Sequence, residues 1–191
     1  MMNLWNLKVK IQSILKDLII EMKNILLFLV ITAFFSSCSK KCELESAGKQ
    51  LDFYFLEQYK TKANSFEILP ESIVLSKIKA ITYKEIYSYS KKSHCFEIDK
   101  NAIKRLNNEP YLHSKAFALV IDNEIIYTGY FWSAFSSAIC DWTNIDYLDY
   151  GNNLLCVKLG YPTDSFGLNH PDERNNDKIL ELLKCDNKLD D

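Results

Sequence analysis

The sequence predicts an α+β fold built on a small, mostly antiparallel sheet, and two observations lead to this prediction. Residues 116–121 and 124–129 are largely apolar runs separated by Asp122-Asn123, a pair that tolerates positive φ and suits a two-residue hairpin turn. Residues 100–107 and 177–184 instead repeat their apolar residues at helical spacing. A hairpin that is apolar on both faces belongs in the centre of a sheet, between two covering layers.

The two-residue turn also predicts a register for this central hairpin, because turn length fixes which residues face each other. The expected opposite pairs are Ile121 with Glu124, Val120 with Ile125, Ala118 with Tyr127, and Phe117 with Thr128.

The elements before the hairpin follow from local patterns. Residues 51–56 are rich in aromatic side chains and favour a strand, although their spacing would also suit the start of a helix. The chain turns around Pro70, and residues 72–75 are a short apolar run of strand type. Residues 86–89 and 94–98 flank a polar loop and predict a second hairpin.

Helix signals follow the second hairpin and close the chain. Asp99 can cap a short helix over residues 100–107, which Asn108 and Pro110 would end. Residues 154–159 predict one more strand, and a loop with two prolines leads to the closing helix at 177–184.

The N-terminal stretch from Met22 to Cys38 predicts where in the cell the protein is located. The apolar run from Ile25 to Phe35 has the length of a signal-peptide core and is too short to span a membrane. Phe35-Ser36-Ser37-Cys38 resembles the lipobox of bacterial lipoproteins, with Phe where Leu is usual. The resemblance implies cleavage before Cys38 and a diacylglycerol on its sulfur. An uncleaved anchor helix or a plain secretory signal are the alternatives.

A lipoprotein signal at this position divides the chain into three predicted segments. They are a signal peptide over residues 1–37, a lipidated tether over 38–50 and a single globular domain over 51–191. Met22 is the expected start, because Met22-Lys23 already supplies a charged region before the apolar run. The alternative is a long charged region that lies on the membrane surface before cleavage. Removing residues 1–37 from 191 leaves 154, which fits one domain.

Composition excludes some classes of protein. The chain carries 23 basic and 25 acidic residues, and removal of residues 1–37 takes its net charge from −2 to −4. No basic patch suggests a nucleic-acid partner. An aromatic content of 13% with only five glycines describes a packed globule rather than a disordered chain.

The six cysteines point to disulfides, because an exported chain meets an oxidising compartment. If Cys38 carries lipid, five remain, and an odd number leaves one thiol unpaired. We expect a bridge between Cys140 and Cys156, with two buried reduced thiols as the alternative, and we interpret Cys95 as a small buried hydrophobe. The sequence has no C-x-x-C pair, so a zinc site is not expected.

Residues 130–142, which follow the central hairpin, hold the binding candidates. These are Tyr130, Phe131, Trp132, Ser136, Ser137 and Asp141. They predict a ligand or partner surface, since loops after central strands often carry function. The competing interpretation is that Phe131, Trp132 and Phe135 only cover the sheet while the two serines cap a turn.

Catalytic and metal sites are weaker hypotheses. Ser136 or Ser137 could act as a nucleophile with His94, His113 or His170 as base and Asp141 or Asp172 as its partner, but no G-x-S-x-G motif is present. Residues 170–173 could hold a metal ion, although such a cluster beside a proline is more typical of a helix start. No cofactor is expected.

Residues 94–129 are also faintly similar to the periplasmic head of the SecD translocase subunit, through the phrase Ala118-Leu119-Val120-Ile121-Asp122-Asn123 and the order strand, helix, strand, hairpin. This resemblance implies an α+β fold.

The sequence therefore predicts a membrane-anchored lipoprotein of the cell envelope that acts as a binding or interaction module. Its expected partners are the membrane, through acyl chains on Cys38, and an envelope protein. Ser39 after the cysteine resembles the pattern that permits sorting to the outer membrane of Gram-negative bacteria. A serine-dependent hydrolase acting in the periplasm or at the cell surface is the alternative.

Overall fold

A computed structural model of the protein describes residue 42 and residues 48–147 and 153–190. Gly48–Asp191 forms one compact unit. The expected signal peptide (1–37), the expected lipid attachment at Cys38 and most of the expected tether (38–50) lie outside the described residues. Within the described part, no helix is long and apolar enough to cross a membrane.

One sheet of nine strands dominates the fold. Within residues 48–147 and 153–190 the strands are β1 (Leu51–Gln58), β2 (Val74–Ile81), β3 (Ile86–Ser90), β4 (Cys95–Ile98), β5 (Ala116–Ile121), β6 (Glu124–Trp132), β7 (Asn144–Asp146), β8 (Leu154–Lys158) and β9 (Leu189–Asp190). The helices of the same residues are α1 (Lys100–Asn107) and α2 (Asp177–Cys185). The strand order is β2-β1-β5-β6-β7-β8-β4-β3-β9, with β6–β7 and β3–β9 parallel and the other pairs antiparallel. The mostly antiparallel sheet is confirmed, but the prediction that it is small is wrong.

The hairpin of β5 and β6 lies inside the sheet, as predicted, because β1 and β7 flank it. Asp122 and Asn123 have φ angles of 52° and 70°, which is the two-residue turn expected from these residue types. The predicted pairs nearest the turn, Ile121 with Glu124 and Val120 with Ile125, are confirmed.

Beyond these pairs the predicted register is wrong by one residue. Leu119 pairs with Tyr127, so Ile126 is an extra residue that forms a β-bulge. Ala118 therefore lies opposite Thr128, and Phe117 opposite Gly129. A bulge adds one residue to one strand only, and a register counted outward from the turn cannot include it.

The two faces of the sheet support two separate cores, since successive side chains of a strand point to opposite faces. We call the larger the first core; it includes Phe53, Phe117, Leu119, Ile121 and Phe131 and buried residues of both helices. The second core contains Leu56, Ile68, Ala116, Ala118, Val120, Tyr130, Trp132 and Cys140. Helices thus contribute to the first core, whereas loop residues such as Ile68 and Cys140 complete the second.

Both predicted helices are confirmed, and each starts at a polar cap. The Asp99 side chain accepts hydrogen bonds from the backbone N–H groups of Asn101 and Ala102 at the start of α1. The Asn176 side chain accepts one from the N–H of Lys178 at the start of α2. These bonds satisfy backbone donors that have no partner inside a helix.

Several strands differ from the predicted ones. Residues 51–56 do form a strand, which continues to Gln58. The run at 72–75 marks only the start of β2, which follows a short 3₁₀ turn at Pro70–Ser72 and extends to Ile81. β2 is an edge strand that carries two lysines, a common protection of exposed edges. β7 and β9 were not predicted, because runs of three and two residues carry no periodicity.

The predicted bridge between Cys140 and Cys156 is wrong. β4 and β8 are neighbours in the sheet, which places Cys95 directly opposite Cys156, and these two form a disulfide with their Cα atoms 3.9 Å apart. Cys95 is therefore not a free buried hydrophobe. Cys140 is a buried free thiol, and burial raises its pKa to about 12. Cys42 and Cys185 also take part in disulfides.

Candidate functional site

The three aromatic residues singled out from the sequence lie inside the protein. Tyr130, Phe131 and Trp132 are at most 2% exposed, because β6 continues through them and alternates their side chains between the two cores. The Tyr130 hydroxyl donates to the carbonyl of Phe66 at 3.0 Å, and burial raises the pKa of this phenol. These side chains offer no exposed binding surface. Phe135, in contrast, is 89% exposed.

The polar candidates in the same segment make local structural contacts. The Ser136 hydroxyl accepts a hydrogen bond from the N–H of Ala138 at 3.1 Å, which stabilises a turn. Ser137 is exposed. The Asp141 carboxylate accepts a hydrogen bond from the N–H of Phe66 at 2.7 Å and so joins the loop after β6 to the loop between β1 and β2.

The three histidines each have partners other than these serines. His113 Nδ1 accepts from the backbone N–H of Ser133 at 3.2 Å, and His170 Nε2 lies 3.0 Å from the carbonyl oxygen of Leu159. His94 Nδ1 lies 3.4 Å from the Tyr89 hydroxyl. Among the described residues, the structure therefore brings no histidine to the hydroxyl of Ser136 or Ser137.

An ionic cluster with a buried arginine surrounds Arg174, which is 7% exposed as a residue. Its guanidinium pairs with the partly exposed carboxylates of Asp164 at 2.9 Å and Asp172 at 2.8 Å, and also donates to the carbonyl of Val157. The hydrogen bond from Arg174 lowers the pKa of Asp172. Burial, together with the positive charge of Arg174, lowers the pKa of His94. The cluster fixes the segment before α2 against β8.

The most site-like feature of the surface is a groove beside β6, with a volume of about 260 Å³. It is lined by Glu67, Ile68, Pro70, Ile73, Ile125, Ile126, Tyr127, Thr128, Trp142, Thr143, His170, Pro171 and Glu173. Apolar side chains dominate this lining, and a few polar groups stand among them. This combination is typical of binding sites.

The groove exists because β7 covers only part of β6. The parallel pairing with β7 begins at Tyr130, so no described strand pairs with residues 124–128 on this side. We call this unpaired side of Glu124–Thr128 the β6 edge. Trp142 and Thr143 end the groove, since the Trp142 indole N–H donates to the Thr128 hydroxyl at 3.1 Å.

Gly129 allows the chain to close the groove at that end. A Cβ at this position would lie 2.6 Å from the carbonyl oxygen of Thr143, closer than any side chain permits. Glycine therefore lets the segment before β7 pass directly over β6.

The polar groups of the groove come from the segment before α2 and the loop after β1. The His170 ring contacts the Trp142 ring in a tilted arrangement, with centroids 4.3 Å apart and an interplanar angle of 45°. Glu173 accepts a hydrogen bond from the side chain of Asn176 at 2.6 Å, and Glu67 pairs with Lys62 at 3.1 Å. The described residues include no cluster of three or more potential metal-binding side chains.

Two other concavities in the described part look less like binding sites for an apolar ligand. One, of about 570 Å³, lies beside α2 and is lined by Lys91, Leu180, Glu181, Lys184, Asn187 and Leu189. The other, of about 170 Å³, lies beside β1 and the turn between β5 and β6, and includes Asp52 and Lys79. Charged side chains line much of both.

Sequence reasoning missed the groove as a site. The sequence indicates residues 170–173 only as a weak metal site, with His170 and Asp172 also as candidates for a serine-dependent site, and Trp142 only as the end of an aromatic segment. The groove joins four segments that are far apart in the chain, and Ile125 and Ile126 read simply as hairpin residues.

No known family model, curated protein or solved structure matches the chain at a significant level.

Proposed function

We propose that the protein is a membrane-anchored lipoprotein of the cell envelope, attached through acyl chains on Cys38, whose folded part is a binding module. The signal-like stretch that ends in Cys38 supports the anchor. Four other cysteines are in disulfides, and disulfides persist in oxidising compartments outside the cytoplasm. Cys140 is free but buried in the second core. Ser39 after Cys38 is in keeping with the outer membrane of a Gram-negative bacterium as the destination.

The groove beside β6 carries the binding role. It combines an apolar lining of isoleucine, proline and tryptophan with a few polar groups, among them Thr128, His170 and Glu173. Binding sites commonly show this arrangement, in which apolar contacts give affinity and a few polar groups orient the ligand. No contact in the described residues favours the hydrolase alternative.

Metabolic labelling with a palmitate analogue tests the anchor. The wild-type protein should take up the label and resist extraction with salt, because several acyl chains exceed the two signals needed for stable anchoring. Cys38→Ala should abolish labelling and leave an unprocessed precursor. Cys140→Ala is the matched control, because that thiol is buried, and it should keep the label. Label that persists on Cys38→Ala would overturn the anchor proposal.

Binding of N-phenyl-1-naphthylamine, a neutral apolar fluorophore, tests the groove. Its fluorescence should rise when it enters the apolar lining, and Ile125→Lys should remove the rise by placing a charge there. Ile78→Lys is the control, because Ile78 is 69% exposed on the edge strand β2. Equal fluorescence with all three proteins would show that the dye does not use the groove and would count against the binding role.

A further inference from the structure

We propose that the groove binds an extended peptide that adds a strand to the β6 edge and places a basic side chain on Glu173, a proposal that rests on the binding role proposed above. The β6 edge supplies unpaired backbone groups, the groove supplies apolar contacts on both sides of it, and Glu173 supplies a negative charge. Strand addition of this kind takes its affinity from main-chain hydrogen bonds and its specificity from side-chain pockets.

The backbone of β6 faces the groove at Thr128. The N–H of Tyr130 donates to the carbonyl of Thr143 at 3.0 Å, so the backbone groups of Tyr130 point away from β5. Backbone groups two residues apart in a strand point to the same side, so the N–H and C=O of Thr128 also point away from β5. No described strand or isolated bridge meets them there.

Thr128 as a residue is only 6% exposed and lines the groove, so these backbone groups are reached only through the groove. A buried N–H or C=O without a partner costs free energy, and such groups are normally paired. A small apolar ligand would leave them unpaired, whereas an extended peptide would pair them. This difference favours a peptide as the occupant.

The length of the edge suits a short strand. Glu124 to Thr128 spans about 14 Å at roughly 3.4 Å per residue, which matches a peptide of about five residues. Ile125 packs toward the second core and Ile126 toward the first, so apolar side chains flank the edge on both faces. Alternate side chains of a docked strand would therefore meet apolar surface on either side.

The charged residues at the groove determine which charged side chain the peptide should carry. Glu67 is paired with Lys62, and Glu124 at the far end is paired with Lys178 at 2.6 Å. Glu173 accepts a hydrogen bond from the neutral Asn176 side chain and has no cationic partner among the residues that the structure describes. A lysine or arginine of the peptide would supply that cation.

Isothermal titration calorimetry with the acylated protein in phosphatidylcholine nanodiscs tests this inference. The probe is the acetylated, amidated pentapeptide of sequence IVKVI. The first comparison peptide carries N-methyl groups on alternate residues, which block strand pairing, and the second has norleucine in place of lysine. The parent should bind, and methylation should weaken binding roughly tenfold or more, because at least two main-chain hydrogen bonds are lost.

Two protein variants test whether the negative charge of Glu173 contributes to peptide binding. Glu173→Gln should weaken binding of the parent peptide about threefold, the size typical of a partly exposed ion pair, and should leave the norleucine peptide unchanged. Glu57→Gln, an exposed carboxylate on β1, should bind both peptides as the wild type does. Hydrogen exchange of the Thr128 amide should slow when the parent peptide is added.

Three results would overturn strand addition. The first is equal binding of the methylated and parent peptides. The second is no binding of the parent at millimolar concentration; if the naphthylamine dye still enters the groove, the binding role stands and only the peptide is excluded. The third is a Thr128 amide that is as protected in the nanodiscs before the peptide is added as after, which would make lipid the occupant. Palmitate labelling reports on the anchor independently of all three.

Discussion

The hydroxyl of Tyr127 is a buried polar atom without a hydrogen-bond partner among the described residues. Tyr127→Phe should therefore raise the free energy of unfolding by about 1 kcal/mol, because it removes an unpaired group from the interior. Urea unfolding measures the change. A loss of stability would show that the hydroxyl is paired in solution.

Tyr89 supplies the matched control for this substitution. Its hydroxyl donates to the carbonyl of Arg174 at 2.8 Å and lies 3.1 Å from the side-chain oxygen of Asn175. Tyr89→Phe should lower the free energy of unfolding by about 1 kcal/mol, because the buried carbonyl of Arg174 loses its donor. The two substitutions remove the same atom and should change stability in opposite directions.

His94 should make the protein less stable in mild acid. Its pKa is lowered in the folded state, by burial first and by the charge of Arg174 second. The unfolded chain therefore binds a proton on His94 at a higher pH than the folded protein does, so stability is full above the unfolded pKa near 6.5 and is lost as the pH falls through the folded pKa. We expect the urea midpoint to decline below about pH 6.5.

His94→Asn should flatten this decline, and asparagine tolerates the positive φ of 56° at this position. Asp172→Asn serves as a comparison. The pKa of Asp172 is also lowered, by its hydrogen bond from Arg174, so its contribution is present above about pH 4 and lost only in stronger acid. A midpoint that falls equally between pH 6.5 and 5 in wild type and His94→Asn would contradict the assignment.

At the scale of elements, the disulfide between β4 and β8 closes a long stretch of chain. Cys95 and Cys156 are 61 residues apart, and in the chain-entropy model a loop of this length corresponds to about 4 kcal/mol of stability. Cys95→Ala with Cys156→Ala should lower the free energy of unfolding by up to about that amount. A non-reduced digest should join the peptides of Cys95 and Cys156, and Cys140 should be recovered as a free thiol.

Cys140→Ala is the control for the disulfide. It removes a buried thiol that bonds to no other cysteine, so its effect should be that of a small cavity in the second core. Adding dithiothreitol should destabilise Cys140→Ala as it does the wild type. It should destabilise the double alanine variant less, because only the disulfide bonding of Cys42 and Cys185 is then left to reduce. A digest that joins Cys140 to Cys156 would contradict the assigned pairing.

The elements that could be predicted from the sequence are those whose signals are local. Asp99 caps α1 and Asp122-Asn123 forms the hairpin turn because each acts on backbone within three residues of itself. The disulfide could not be predicted, since it depends on β4 and β8 being neighbours in the sheet, although α1 and three strands (β5, β6 and β7) lie between them in the chain. The bulge at Ile126 has no local signal either.

At the scale of the whole molecule, the groove illustrates why sites are harder to predict than elements. It lies where β7 stops short of covering β6, and its lining comes from the β1–β2 loop, β6, the segment before β7 and the segment before α2. None of these four segments has a sequence pattern that indicates a binding site. Only the strand order brings the pieces together, and strand order follows from long-range packing that single-sequence patterns do not carry.

One sheet separates the two cores, so the folded unit should unfold as a whole. Phe117 packs into the first core against Phe53 and Phe131, while Val120, on the same strand, packs into the second. Because β5 belongs to both cores, a substitution that destabilises the core on one face of the sheet should also destabilise the core on the other face. We expect a single cooperative transition, as is usual for a domain of this size.

Urea unfolding of Phe117→Leu and Val120→Ala tests this coupling in the protein cleaved before Cys38, which lacks Trp5. Fluorescence then reports Trp132 in the second core and Trp142 beside it, whereas far-UV circular dichroism reports the whole sheet. Each substitution should lower stability by about 1 to 2 kcal/mol, since Phe117→Leu removes part of a buried aromatic ring and Val120→Ala removes two buried methyl groups. The urea midpoints from both probes should shift together. This includes Phe117→Leu, although Phe117 lies in the first core and the fluorescent tryptophans report on the second. A fluorescence midpoint unmoved by Phe117→Leu while circular dichroism shifts would mean that the two cores unfold independently.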